Sequence, residues 1–401
     1  MIGTKLTITK SAYAICLAFY TTMAPSPCCA KLPPDPDNAA LLYYQAFLLS
    51  PKPDPLIQAS LDRMSYGGEV DKQVQEYVQR CRDTIRYAEK ASCIPNCDWG
   101  PWYSLGFGFR VPHLEGVRLL SRVLHADARI LAAGGDYRAA FERCLAMRRL
   151  ANHVGDQTVQ FYALAVGTED EVQRCICQIL GSMPPDVETI RWLKGRLADV
   201  PPPLASPARA LRTDLDLALQ TARTHDRMMA EVRQRIAGAA DKEDARRVQS
   251  LSDEDLLSYM RKPYASFLDS ALGITNSDML YEKAYPAIQK LVRDLGEKVN
   301  SDPIGKIVAE NITWMAEIVP RFYTTQVLDT TRLNAFSVAL ELYLERAETG
   351  RLPEKLPGSY PKDIYSGRDF IYVVTGSKFL LRSRVQPADT RKPVELECRF
   401  Q

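Results

Sequence analysis

Residues 114–151 read LEGVRLLSRVLHADARILAAGGDYRAAFERCLAMRRLA. Val117, Leu120, Leu124, Ala128 and Leu131 recur at intervals of three and four, the spacing that places side chains on one buried face of an α-helix. Gly134-Gly135 ends that helix, because glycine accepts the backbone angles of a helix C-terminus. Asp136 can cap the next one, its carboxylate taking the orphan N–H groups of a first turn. Tyr137, Ala140, Phe141, Cys144 and Ala151 then continue an apolar stripe. The segment predicts two helices joined by a short turn.

Working outward, the turn Gly135-Asp136-Tyr137-Arg138-Ala139-Ala140-Phe141 resembles that of a tetratricopeptide hairpin. No second copy follows at a period near 34 residues, so a stack of irregular hairpins is expected rather than a repeat array. Residues 38–49 and 55–91 look helical, separated by Pro51-Lys52-Pro53-Asp54-Pro55. Further helices are expected near 159–180, after Asp186 as cap, and over 207–236, with proline runs at 184–185 and 201–203 between them. Residues 238–251 are small and charged and mark a linker. Ser252 opens another helix whose Asp253, Glu254 and Asp255 complement its dipole.

The last long helix is expected from about 329 to 348, stopped by Gly350. Phe370–Val374 and Phe379–Ser383 flank Thr375-Gly376-Ser377-Lys378, a hairpin signal. Val394, Leu396, Cys398 and Phe400 alternate with polar residues, as in a strand with one buried face. The fold class is therefore mainly α: irregular antiparallel helical hairpins, TPR-like in part, with a small C-terminal helix-plus-antiparallel-β module. The expected division is 1–30 leader, 31–237 helical domain, 238–251 linker, 252–328 second helical region and 329–401 terminal module.

The first thirty residues read as a secretory signal peptide. Lys5 and Lys10 precede the apolar run Ser11–Tyr20, and Cys28-Cys29-Ala30 offers small residues for cleavage after Ala30. That run is too short to span a bilayer. Export to the periplasm or the extracellular space follows, with a lipoprotein form on Cys28 or Cys29 as the variant. The chain of 401 residues carries a net charge of +2, which gives no global reason to expect nucleic acid. No other segment suggests a transmembrane span, and no sequence signature of a cofactor is present.

Cleavage after Ala30 would leave Cys81, Cys93, Cys97, Cys144, Cys175, Cys177 and Cys398, an odd set whose connectivity sequence does not give. Cys93-Ile94-Pro95-Asn96-Cys97 suits a local disulfide, with ordinary thiols as the rival. A metal clip would need further ligands, with only His113 near, so no metal is expected. Cys175 and Cys177 point to different faces of a helix and do not pair with each other. Residues 98–110, Asp98-Trp99-Gly100-Pro101-Trp102-Tyr103-Ser104-Leu105-Gly106-Phe107-Gly108-Phe109-Arg110, combine glycines with aromatic rings. Such a loop either anchors on the helical core, the favoured reading, or binds a ligand. In the second case Trp99, Trp102, Tyr103, Arg110 and His113 are the candidate binding residues. The histidines form no metalloprotease pair, and no nucleophile elbow or phosphate loop occurs.

Cys97–Gly100, Pro112–Leu114, Arg118–Leu124 and Gly135–Ala140 together resemble a group of uncharacterised exported bacterial helical proteins. Residues 332–384, with Gly350–Leu356, Lys362-Asp363-Ile364-Tyr365-Ser366-Gly367 and Phe379–Ser383, resemble the soluble part of type II secretion pseudopilins of the G type. The resemblance implies a helix-plus-sheet tail and a bacterial, exported setting. The pseudopilin N-terminal helix opening Phe-Thr-Leu-Ile-Glu is lacking, and Val385–Lys392 replaces the acidic calcium loop, so neither a filament role nor calcium binding is implied. The expected function is a helical protein-interaction or structural module of the cell envelope, with a protein partner. The alternative is a hydrolase-like enzyme using a pocket near residues 98–113.

Overall fold

A computed structural model describes residues 34–108, 111–203, 207–224, 226–239, 243, 246–247, 250–302, 313–386 and 393–400. The signal peptide expected over 1–30 and the candidate binding residue Arg110 lie outside the described residues, and the linker expected over 238–251 is described only in part. From Asp37 onward the described residues pack as one compact unit.

The molecule is mainly helical. Among the described residues, eight α-helices form the first half: α1 (Ala39–Leu49), α2 (Pro55–Ser65), α3 (Lys72–Arg80), α4 (Arg82–Ser92), α5 (His113–Ala133), α6 (Tyr137–Val154), α7 (Val159–Ser182) and α8 (Val187–Asp199). They are followed by α9 (Pro207–Thr224), α10 (Asp226–Ala239), α11 (Asp253–Thr275), α12 (Tyr281–Asn300) and α13 (Thr313–Thr349). The expected caps are in place. Asp136 accepts from Ala139 N at 3.2 Å and Asp186 from Thr189 N at 3.1 Å. Ser252 and Asp255 cap each other's backbone in a reciprocal box. Each such cap is worth about 1 kcal/mol.

Two cores organise the helices. The first takes the buried faces of α1–α8 together with Phe336, Leu342, Tyr343, Phe379, Leu381 and Cys398. The second takes Leu211 to Met229 together with α11, α12 and the first half of α13. The helix expected from about 329 begins sixteen residues earlier, at Thr313, and passes through both cores. Ala316, Val319, Tyr323 and Val327 lie in the second, and Ala335, Phe336, Ala339 and Tyr343 in the first. The apolar face changes partner along the helix, so a single stripe read backward from Glu348 shows only half of it.

β1 (Ile371–Thr375), β2 (Lys378–Arg382) and β3 (Glu395–Arg399) form an antiparallel sheet in that order. Thr375 pairs with Lys378 across a two-residue turn in which Gly376 takes φ 57°, the left-handed angle such hairpins require. Phe379 pairs with Cys398, so both side chains face inward. The helix covers this face: Tyr343 meets Phe379 edge-on at 5.5 Å, and the Arg346 guanidinium lies 4.3 Å from the Phe400 ring centre. Buried Asp363 organises the crossing loop, accepting from Tyr365 N at 3.1 Å, Ser366 Oγ at 2.6 Å and Arg384 N at 3.0 Å. The role of this segment is to turn the chain.

Candidate functional site

The aromatic loop is an anchor. Asn38 accepts from Asp98 N at 2.9 Å and donates to Asp98 O at 2.9 Å, which fixes the loop to the start of α1. Trp99 is 6% exposed; its indole stacks on His113 at 4.6 Å and on Tyr43 at 5.5 Å, and its Nε1 donates to His153 O at 2.7 Å. His113 is sandwiched again by Phe161 at 5.2 Å. Farther along, Gly106 sits at φ 56° against α9, where a Cβ would come within 2.6 Å of Thr221 N. Only glycine fits that approach.

Of the candidate binding residues, Trp99 and His113 are brought together by their stack, whereas Trp102 is not part of it. Trp102 is 72% exposed and shares none of the stacking around Trp99. Tyr103 is half-buried, and burial raises its phenol pKa. Asp98 spends its carboxylate on Gly100 N at 2.9 Å. Burial lowers the His113 pKa to about 4, and its Nδ1 lies 3.4 Å from the Tyr44 hydroxyl. Of the two cysteines read either as a local disulfide or as ordinary thiols, Cys93 is exposed and Cys97 half-buried, both free in this structure. The loop is held by Asn38 and by the rings around Trp99, which need no covalent staple. Among the described residues, no group of three His, Cys, Asp or Glu side chains could hold a metal ion.

A cleft of about 280 Å³ opens elsewhere, between α2, α5 and α7. Asp62 and Ser65 line it from α2, Arg118, Ser121 and Arg122 from α5, and Gly167, Glu171 and Arg174 from α7. The spacings of three and four put each set on one helix face. Glu171 forms the floor. It accepts from Ser121 Oγ at 2.6 Å and Ser65 Oγ at 2.8 Å, and His125 Nδ1 lies 3.2 Å from its Oε1. At the rim Arg122 pairs with Asp62 at 2.9 Å, and Arg174 pairs with Asp170 while lying 5.0 Å from the Tyr66 ring centre. Arg118 is exposed, and no ion pair to it is found among the described residues.

Below the floor, His125 is wholly buried. Its second nitrogen, Nε2, lies 3.3 Å from Gln178 Oε1, an oxygen that also accepts from Arg129 Nη1 at 2.5 Å. With an acceptor at each nitrogen, the ring carries both protons. Burial works against that charge, but the Glu171 carboxylate and a hydrogen bond with the neutral Cys175 thiol prevail, and the His125 pKa rises to about 10. Burial likewise opposes the charge of Glu171, yet His125, Ser121 and Ser65 hold its pKa below the usual carboxylate value. The floor is thus a buried ion pair in which every polar atom has a partner, the condition under which such a pair is tolerated.

A second buried pair joins α6 to α7. Arg148 on α6 donates through Nε and Nη2 to Glu169 on α7 at 2.9 and 2.5 Å. Sequence reasoning singled out neither pair. The available signal was Ser121 and His125, two polar residues on the buried stripe of α5. Compared with protein families, with curated proteins and with solved structures, the chain matches none.

Proposed function

We propose that the chain is an exported protein-interaction module of the bacterial cell envelope, and that the cleft over Glu171 receives a carboxylate-bearing segment of a protein partner. Arg118 carries the reading. Arg122 and Arg174 have carboxylate partners at the rim, whereas Arg118 presents its guanidinium to the opening. A planar guanidinium with open donors suits a carboxylate, to which it can make two parallel hydrogen bonds. The buried charge of His125 lies behind the Glu171 floor and keeps that carboxylate from cancelling the arginines. Among the described residues no helix is long and apolar enough to cross a membrane. The hydrolase-like alternative loses support because His113 is packed between rings and Asp98 is used within its own turn.

The test is affinity capture from an envelope extract with the wild-type chain and with Arg118→Glu, at low and raised salt. Capture by the wild type that weakens with salt and disappears in R118E, at unchanged melting temperature, is the expected result. Equal capture by both chains would contradict the cleft as the contact.

A further inference from the structure

Cys175 and Cys177 sit two residues apart on α7 and face opposite ways. Cys175 contacts Cys144 of α6 and His125. Cys177 faces the sheet, where its thiol neighbours that of Cys398 on β3, both free in this structure. The backbones there are close. One turn farther along α7, a Cβ on Gly181 would come within 3.0 Å of Arg399 O. Tyr343 of α13 ties the two segments together, its hydroxyl lying 2.6 Å from Arg399 O and 3.5 Å from Cys177 O. Both sulfurs are shielded, with Cys177 7% and Cys398 1% exposed. No other described residue in the chain links the terminal strand to α7 by a group that can be made covalent.

We propose that Cys177 and Cys398 are a disulfide-forming pair that fastens the terminal strand to α7, with a small or protein disulfide of the glutathione or dithiol-oxidoreductase class as oxidant. The thiolate of one cysteine attacks the oxidant's disulfide, forming a mixed disulfide and releasing one thiol. The second cysteine then attacks the protein sulfur of that mixed disulfide and releases the other thiol. Two electrons pass from the protein sulfurs to the oxidant, and the two thiol protons end on the oxidant's two thiols. Burial holds the Cys398 thiol well above its ordinary pKa in the folded chain, so exchange belongs to the moment at which the strand docks. The loop closed runs from 177 to 398, a length at which a cross-link restrains the unfolded chain strongly.

The experiment is refolding of the full chain in a mixture of oxidised and reduced glutathione, followed by acid quenching, alkylation in denaturant and peptide mapping. The expected product is a linked pair of peptides holding Cys177 and Cys398. Fragment ions that separate Cys175 from Cys177 assign the bond in the unaltered chain, and Cys175→Ser should retain it while Cys398→Ser loses it. Reduction should lower the melting temperature by several degrees. Recovery of Cys398 as an alkylated thiol, or its linkage to a cysteine other than Cys177, would overturn the proposal.

Discussion

Nδ1 of His125 lies 3.2 Å from Oε1 of Glu171, with the imidazole wholly buried and the carboxylate nearly so. Removing one member of such a pair leaves the other charge stranded. Glu171→Gln should therefore cost about 3–5 kcal/mol at neutral pH, read by urea unfolding. The same pair sets an alkaline limb. The His125 pKa is raised from 6.5 to about 10, so its contribution is complete below about 6.5 and is lost as pH rises toward 10. Wild-type stability should decline over that interval, and the decline should flatten in E171Q. A pH-independent wild-type melt would show that His125 is neutral.

His113 and His153 act in the opposite direction. Burial lowers both to about 4, so the unfolded chain takes up protons that the folded chain refuses. Stability should fall as pH drops from about 6.5 toward 4, by roughly 3 kcal/mol for each residue. His113→Phe keeps the stack on Trp99 and removes one titrating group. Its acid loss should be smaller than that of the wild type; an equal loss would place the acid sensitivity elsewhere.

The two tryptophans of the loop should behave differently. Trp99→Ala removes a ring stacked on Tyr43, Phe47 and His113 and should cost about 3–5 kcal/mol. Trp102→Ala removes an exposed ring and should stay within about 0.5 kcal/mol of the wild type. Thermal melts decide it, and similar losses in both variants would mean that Trp102 also packs.

Asp329 on α13 is half-buried, its Oδ2 is shielded from solvent with no hydrogen-bond partner among the described residues, and burial raises its pKa to about 7. A carboxyl raised in this way favours the fold at low pH and opposes it once ionised, as pH rises through 7. Asp329→Asn should raise stability at pH 8 by roughly 1–3 kcal/mol and change it little at pH 5. A loss at both values would show that the carboxylate is paired.

Much of the helical fold was legible because its signals are local. Asp136, Asp186 and Ser252 mark helix starts by chemistry that acts over three residues, and Thr375-Gly376-Ser377-Lys378 marks its own turn. The start of α13 was not legible, since Ala316 to Val327 and Ala335 to Tyr343 belong to different cores. The site was less legible still. The aromatic loop drew attention through composition, yet Trp99 packs inward and Trp102 points to solvent. The cleft is built from Ser65, Ser121, His125 and Glu171, residues from three helices that only tertiary packing brings together, and each taken singly reads as an ordinary helix residue.

The cleft over Glu171 is tested most directly by photo-crosslinking from its wall. A photoreactive residue at Ala163, which lines the cleft and is exposed, should trap a partner protein in cells of the native host. A free carboxylate-bearing peptide from that partner should compete, and Arg118→Glu should abolish the product while the melting temperature holds. The contradicting result is a product of equal yield in R118E, or one formed equally well from Val373 on the exposed strand β1, since either would put the contact outside the cleft.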